Sequence, residues 1–329
     1  MINRVLLYNS GGGIGDAIQI LPLLNTLKNE LKNTKFYYLS AHENHFNSTL
    51  KDLNCEIESL NLNIQYFGFR WWHALIVRKR LKMLNIETFD LILDLQSKIR
   101  NSLILKIIPH KKFVSPTFNF QLSKPKLEIK KENRITKTIL KAVNILFEKN
   151  YQFMEYNINK IHKKFHLESE KLLPNKNYVG FSITQGNVYR KKEWPLDNVI
   201  EISSKLLEKG KIPVFFIEKK NIELKNKINS LLPNALFPEH ESELSCPSLV
   251  SCLGKRLDFA ISIDNGVMHM LSLSKVPMIT LFGPTDAEKF APNYEQSIIL
   301  DSKKIYNSKN VADITVGDVL QAAKQFLNS

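Results

Sequence analysis

Residues 10–22 read SGGGIGDAIQILP, and the side chain in this run that can do chemistry is Asp16. A carboxylate beside a glycine-rich turn can take a proton from an incoming hydroxyl. The glycines first suggest a phosphate loop, but both templates for one fail. A P-loop needs Gly-Lys-Ser/Thr at its end, and no Lys follows Gly15. For GxGxxG, counting from Gly11 puts Asp16 at the last position, and counting from Gly13 puts Ile18 there. An acidic side chain at a helix start also repels the phosphate that the helix dipole would attract. Gly13 and Gly15 then serve as clearance for backbone and substrate to approach closely. Taken alone, Asp16 reads better as a helix-start residue stabilised by the dipole.

A second set lies in the other half of the chain. Thr184-Gln185-Gly186-Asn187 follows an apolar run and leads into Arg190-Lys191-Lys192-Glu193-Trp194-Pro195. A polar loop with three cations at a strand end suits a diphosphate. Asp264-Asn265-Gly266 follows the apolar run Phe259–Ile263, and His269 comes three residues into the helix that starts there. Backbone N–H groups at such a helix start attract anions. Two such loops on consecutive strand ends point to one anion site.

The elements that would carry these loops alternate. Val5–Tyr8 reads as a buried strand, and Ala17, Ile20, Leu21, Leu24, Leu27 and Leu31 follow at helix spacing with Pro22 bending the first turns. Lys35–Leu39 and Phe89–Leu95 read as strands, with a basic helix over Trp72–Leu84 between them. The stretch 109–135 reads as loops around Pro109, Pro116 and Pro125, and 136–149 as a helix. A turn-rich linker is expected near 166–177. The alternation then restarts. Strands are expected at Tyr178–Ile183, Pro213–Ile217, Leu257–Ile263 and Pro277–Phe282, and helices at Asp197–Glu208, Asn221–Leu232, Val267–Ser274 and Ile314–Leu327. Alternation of this kind is the signature of parallel sheets covered on both faces. There is no fixed-period repeat and no low-complexity segment.

The 329 residues suit two domains of roughly 150 residues each. We expect an α/β chain of two doubly wound domains, 1–170 and 171–329, facing a cleft, with the C-terminal helix free to pack back on the first. Cys55, Cys246 and Cys252 form no CxxC pair and no even set, so neither a disulfide framework nor a zinc cluster is expected. The first residues lack a signal peptide's apolar region and cleavage site, and no run approaches the roughly 20 apolar residues of a membrane span. A cytoplasmic protein is expected. The formal net charge is +14, and residues 98–141 hold twelve Lys or Arg against Glu128 and Glu132 alone. Such an excess favours an anionic partner, although it also suits a solvated surface in a Lys-rich chain.

These residues carry a resemblance. GGGIGDAIQILPLLNTLK resembles the N-terminal motif of the heptosyltransferase family, glycosyltransferase family 9, with its Gly-Asp and the Pro six residues on. RKKEWPLDNVIEISSKLLEKG is similar to the family's Lys-x-Trp-Pro segment. SIDNGVMHMLSLSKVPMITLFGPTD is similar to its Asp-Thr-Gly-x-x-His segment and the Phe-Gly-Pro-Thr beyond it. FDLILDLQ is a weaker match to its Tyr-Asp-Leu-x-Ile-Asp-Leu-Gln strand. The likeness runs in order along most of the chain, the region 109–175 excepted.

The resemblance implies a GT-B glycosyltransferase with two Rossmann-like domains, the second holding the donor. It implies heptose transfer from ADP-heptose to an inner-core lipopolysaccharide acceptor, with inversion, no essential metal and no cofactor. No Asp-x-Asp pair is present to hold a nucleotide-bound divalent ion, in keeping with that. On this reading Asp16 falls on the family's base, and Lys192, with Thr184 or Gln185, on its phosphate contacts. Asp264, Asn265, Gly266 and His269 fall on the motif around the diphosphate and sugar, with Asn265 standing where the family usually has Thr. Glu218, or alternatively Glu223, falls where a Glu meets the nucleotide ribose. Gly13, Gly15 and Arg100 fall on the acceptor side. The partners expected are the nucleotide sugar and an acidic glycolipid, with peripheral contact at the inner membrane surface, no nucleic acid and a monomeric chain. A GT-B transferase using another nucleotide sugar for a different surface glycan is the alternative; a basic nucleic-acid-binding protein is remoter, since no nucleic-acid module is present.

The remaining candidates have blander readings. His162 with His166, and His42 with His45, are read as solvated histidines. Trp71 and Trp72 with Phe67 and Phe69 are read as core or interdomain packing, with an acceptor-lipid contact the alternative. Trp194 is read as packing behind Lys192.

Overall fold

The computed structural model describes residues 2–41, 43–186 and 188–327. The chain divides into two compact units, Met1–Tyr156 and Asn157–Ser329.

The first unit holds β1 (Arg4–Asn9), α1 (Ile14–Gln19), α2 (Leu21–Glu30), β2 (Lys35–Ser40), β3 (Glu58–Ser59), α3 (His73–Met83), β4 (Phe89–Asp94), α4 (Ile99–Leu105), β5 (His110–Val114) and α5 (Ile135–Phe147). Its strands form one parallel sheet in the order β3-β2-β1-β4-β5. Every residue of β4 is buried, as expected of a central strand with helices on both faces. Leu6, Tyr8, Phe67, Phe89, Ile92, Leu105 and Phe113 form the core on one side of the sheet. Pro22 does more than bend a helix. It sits in the first turn of α2, and the chain changes helix at Ile20, because proline has no N–H to continue α1.

The second unit holds α6 (Lys163–Leu172), β6 (Tyr178–Ser182), α7 (Leu196–Leu207), β7 (Ile212–Phe215), α8 (Ile222–Leu231), α9 (Pro238–Glu241), α10 (Pro247–Leu253), β8 (Phe259–Ile263), α11 (Gly266–Ser272), β9 (Met278–Phe282), α12 (Ala287–Phe290), β10 (Ser297–Asp301), α13 (Ser302–Tyr306) and α14 (Val316–Leu327). Its parallel sheet runs β10-β9-β8-β6-β7.

Several expectations change. The stretch 109–135 contains β5, an edge strand whose His110-Lys111-Lys112 half looks polar because it is only partly covered. The expected linker holds α6, which packs on α10 and belongs to the second unit, so the units meet at Tyr156/Asn157 and not at 170/171. The C-terminal helix α14 lies against α7 and β9 and contributes Val316, Val319, Ala322 and Ala323 to the second core.

Candidate functional site

In each sheet the chain works outward to one side and then returns to the other, leaving a switch point between neighbouring strands. These lie between β1 and β4 in the first unit and between β6 and β8 in the second. Open parallel sheets bind ligands outside the strand C-termini at such points. Every candidate site residue except Glu218, Glu223 and His269 lies on a loop or at a helix start at one of them.

In the first unit Asp16 is the third residue of α1, half-buried, and its Oδ2 accepts the Gly13 N–H at 3.2 Å. Asn9, at the end of β1, braces the turn: its Nδ2 donates to the Asp16 carbonyl at 3.2 Å and its Oδ1 accepts the Gly11 N–H at 2.9 Å. Among the described residues no Lys or Arg pairs with the Asp16 carboxylate. Gly11 is glycine for a steric reason, because a Cβ there would stand 2.4 Å from Asp16 Cγ. The phenol of the buried Tyr38 is held well above its usual range, by burial first and by the nearby Asp16 charge in part. Gly15 lies inside α1.

His45 corrects its solvated reading. It is buried, and its ring Nε2 donates to the Gly12 carbonyl at 3.0 Å, with Nδ1 facing the Glu43 carboxylate at 3.3 Å. His42 lies outside the described residues. Gly12 and His45 line a cavity of about 710 Å³ together with Glu43, Asn61, Asn63, Gln65, Tyr66, Ala41 and Ile64. Amide, carboxylate and aromatic side chains of this kind suit a polar, hydroxyl-rich ligand.

Across the switch point, Arg100 opens α4 and its Nε donates to the Gly68 carbonyl at 2.8 Å. Asp94, at the end of β4, is fully buried; it accepts Ser102 Oγ at 2.6 Å, Ser115 Oγ at 2.7 Å and Gln96 Nε2 at 2.8 Å. Burial pushes its carboxyl up to about 6, against the pull of those three donors. Sequence reading passed over Asp94 because its partners come from three separate segments.

In the second unit Lys192 and Asp264 meet across the β6/β8 switch point. The ammonium lies 2.5 Å from Asp264 Oδ2 and donates to the Asp264 carbonyl at 3.1 Å, with side-chain exposures of 13% and 8%. Gln185 turns inward, its Oε1 accepting the Lys192 backbone N–H at 2.9 Å. Asn265 is fully committed. Its Nδ2 donates to Ser182 Oγ at 2.7 Å and to the Thr184 carbonyl at 2.9 Å, while Oδ1 accepts the Met268 N–H at 2.8 Å. The side chain therefore straps the Thr184 loop to the start of α11, and Gly266 opens that helix. His269 is buried within it. Asn187 lies outside the described residues.

Glu218 and Glu223 are both exposed, beyond β7 and in the first turn of α8, and Glu218 pairs with Lys220 at 2.5 Å. The buried carboxyl of that corner is Glu239, which burial, and Glu218 nearby, push up to about 7. Trp194 packs as expected, buried, with Nε1 donating to the Ile314 carbonyl at 2.8 Å. Trp71 and Trp72 do not pack into a core: they are 58% and 59% exposed, whereas Phe67 is buried. His162 caps the start of α6. None of the three cysteines is in a disulfide, and burial pushes the Cys252 thiol up to about 12, which makes it inert at neutral pH. Among the described residues, no group of three or more His, Cys, Asp or Glu is arranged to hold a metal ion. Among the same residues no helix is long and apolar enough to cross a membrane.

Two parallel α/β units, each with polar and charged loops at its switch point, define the class: a GT-B fold of two Rossmann-like domains. The structure is similar to a glycosyltransferase family 9 protein from Veillonella parvula, with a TM-score of 0.70 at 16% identity over 99% of this chain and 97% of the other. It is also similar to the E. coli heptosyltransferase WaaC with ADP, with a TM-score of 0.66 at 16% identity over 98% and 97%. In sequence the chain is 23% identical over 291 residues to lipooligosaccharide heptosyltransferase 2 of Campylobacter jejuni, covering 86% of this chain and 83% of that protein. The model of glycosyltransferase family 9 (heptosyltransferase) matches residues 77–316. The chain belongs to that family and is a glycosyltransferase.

Proposed function

We propose that this enzyme transfers a heptose from ADP-heptose to an inner-core lipopolysaccharide acceptor at the cytoplasmic face of the inner membrane, with inversion and without a metal. The observation that carries the reaction is Asp16: a half-buried carboxylate at a switch point, bonded to a backbone N–H and unpaired with any cation among the described residues. Asp16 takes the proton from an acceptor hydroxyl as that oxygen bonds to the anomeric carbon. The bond from that carbon to the diphosphate breaks on the opposite face, and ADP leaves with the electron pair. The cavity bordered by Gly12 and His45 is where the acceptor sugar fits.

Lys192 meets the developing diphosphate charge, a role preorganised donors fill cheaply. Asp264 acts through Lys192, since a carboxylate has no hydrogen to give a phosphate. The Thr184 loop and the start of α11 complete the anion site. The relatives' names support this choice of sugar and acceptor: one is a lipooligosaccharide heptosyltransferase, and the structure of WaaC is with ADP.

Thermal unfolding with nucleoside diphosphates tests the donor half. ADP at a hundred times its dissociation constant should stabilise by about 2.7 kcal/mol, and Lys192→Ala should lose most of the shift. UDP or GDP stabilising as well as ADP would remove the adenine assignment.

A further inference from the structure

Helix α3 is apolar on two faces, and one core accounts for only one of them. Its inner face is Val77, buried, with Ala74 and Leu81 packed against the first core. Its outer face carries Trp72 at the helix start, then Leu75, Ile76 and Met83, at exposures of 59%, 66%, 36% and 63%. The spacing 72, 75/76, 79, 83 is one continuous helical stripe, with Lys79 completing it. Trp71, beside it, is 58% exposed.

Cations surround the stripe. Arg78, Lys79 and Lys82 are exposed, and among the described residues none of them pairs with a carboxylate. Arg70 lies over the Trp72 ring at 5.7 Å. Residues 60–86 contain five Lys or Arg and no Asp or Glu. A second copy meeting this face on a twofold axis would set like charges against each other.

We propose that the outer face of α3 docks on an anionic lipid surface. The helix lies along the interface, Trp72, Leu75, Ile76 and Met83 enter the headgroup boundary, and Arg78, Lys79 and Lys82 lie over lipid phosphates. Tryptophan favours that depth. The inference deepens the membrane placement of the transferase reading by naming the face that docks; it is argued from α3 alone, and vesicle binding is read without donor or turnover, so either can fail without the other.

Sedimentation of the full chain with vesicles tests it. The wild type should pellet with phosphatidylcholine–phosphatidylglycerol vesicles and stay in solution with phosphatidylcholine alone, with binding falling as salt rises. The chain has three tryptophans and Trp194 is buried, so a blue shift of emission on binding reports Trp71 and Trp72. Lys79→Glu with Lys82→Glu should weaken binding about tenfold or more, and Leu75→Ser with Met83→Ser should remove it and the shift. Unchanged melting curves are expected for both variants, since all four side chains are exposed. Failure to bind anionic vesicles, or wild-type binding by both variants, overturns the proposal. So does a blue shift that grows with protein concentration without lipid, which means a second copy, or tight binding of single-stranded oligonucleotides in place of vesicles.

Discussion

At the scale of single residues, Gly11 and Asn265 do more than their types announce. A Cβ on Gly11 would stand 2.4 Å from Asp16 Cγ and 2.7 Å from Oδ2, so Gly11→Ala must push the carboxylate aside. Misplacement by about an ångström can cost about a hundredfold in rate, and kcat/KM of Gly11→Ala should fall by that order with the fold intact by circular dichroism. Gly13→Ala, whose Cβ would meet Oδ2 at 3.3 Å, should cost far less. Equal losses in the two variants would mean that Asp16 is not what Gly11 protects. Asn265→Asp keeps the acceptor for the Met268 N–H and can still accept from the Ser182 hydroxyl, but it loses the donation to the Thr184 carbonyl. Leaving that carbonyl without its donor costs about 1–3 kcal/mol. Donor KM should rise about tenfold or more by the same conversion, with kcat changing less; an unchanged KM would show that the strap does not shape the donor site. Asp16, Lys192 and Asp264 were legible in the sequence because each lies in, or just beyond, a polar or glycine-rich turn that follows an apolar strand. The strap from Asn265 to Ser182 was not, since its ends are 83 residues apart and only the fold brings them together.

At the scale of elements, β4 was legible in the sequence and the Asp94 cluster at its end was not. A continuous apolar run announces a buried central strand, whereas Asp94 needs Ser102 from α4 and Ser115 from beyond β5 to make sense. The edge strands β5 and β10 were missed because half-covered strands keep polar residues. Helix α6 was missed because its core-facing residues, Phe165 and Ser169, are outnumbered by charged ones. The Asp94 cluster makes a pH prediction. Burial holds its carboxyl at about 6 in the folded chain against 3.8 for an ordinary aspartate, so the folded state holds this proton more tightly. Its contribution to stability is present in full below pH 3.8 and is lost as the pH rises through about 6. In denaturant titrations, wild type should therefore gain on Asp94→Asn as the pH falls from 7 to 4. A difference that is flat over this range, or that runs the other way, would mean the carboxyl titrates normally.

At the scale of the whole molecule, the two units divide the work. On the proposed reading the first supplies Asp16 as the base, beside a polar cavity, and the second supplies a lysine locked onto a carboxylate at its switch point. Two alternating α/β halves were legible in the chain. The boundary was not, because α6 lies in what reads as linker yet packs on α10. Within the basic stretch 98–141, Lys111 is spent on Asp90 at 2.7 Å, whereas the cations of α3 named above pair with no carboxylate among the described residues. The central claim is that Asp16 drives heptose transfer from ADP-heptose, and nucleotide release measured by chromatography, with the glycolipid product followed by mass spectrometry, tests it most directly. Wild type with ADP-heptose and a heptose-deficient lipopolysaccharide acceptor should release ADP and add one heptose, and Asp16→Asn should be slower by about 10²- to 10⁴-fold while still being stabilised by ADP. Turnover of a different nucleotide sugar in place of ADP-heptose, or near-wild-type turnover by Asp16→Asn, would contradict the account.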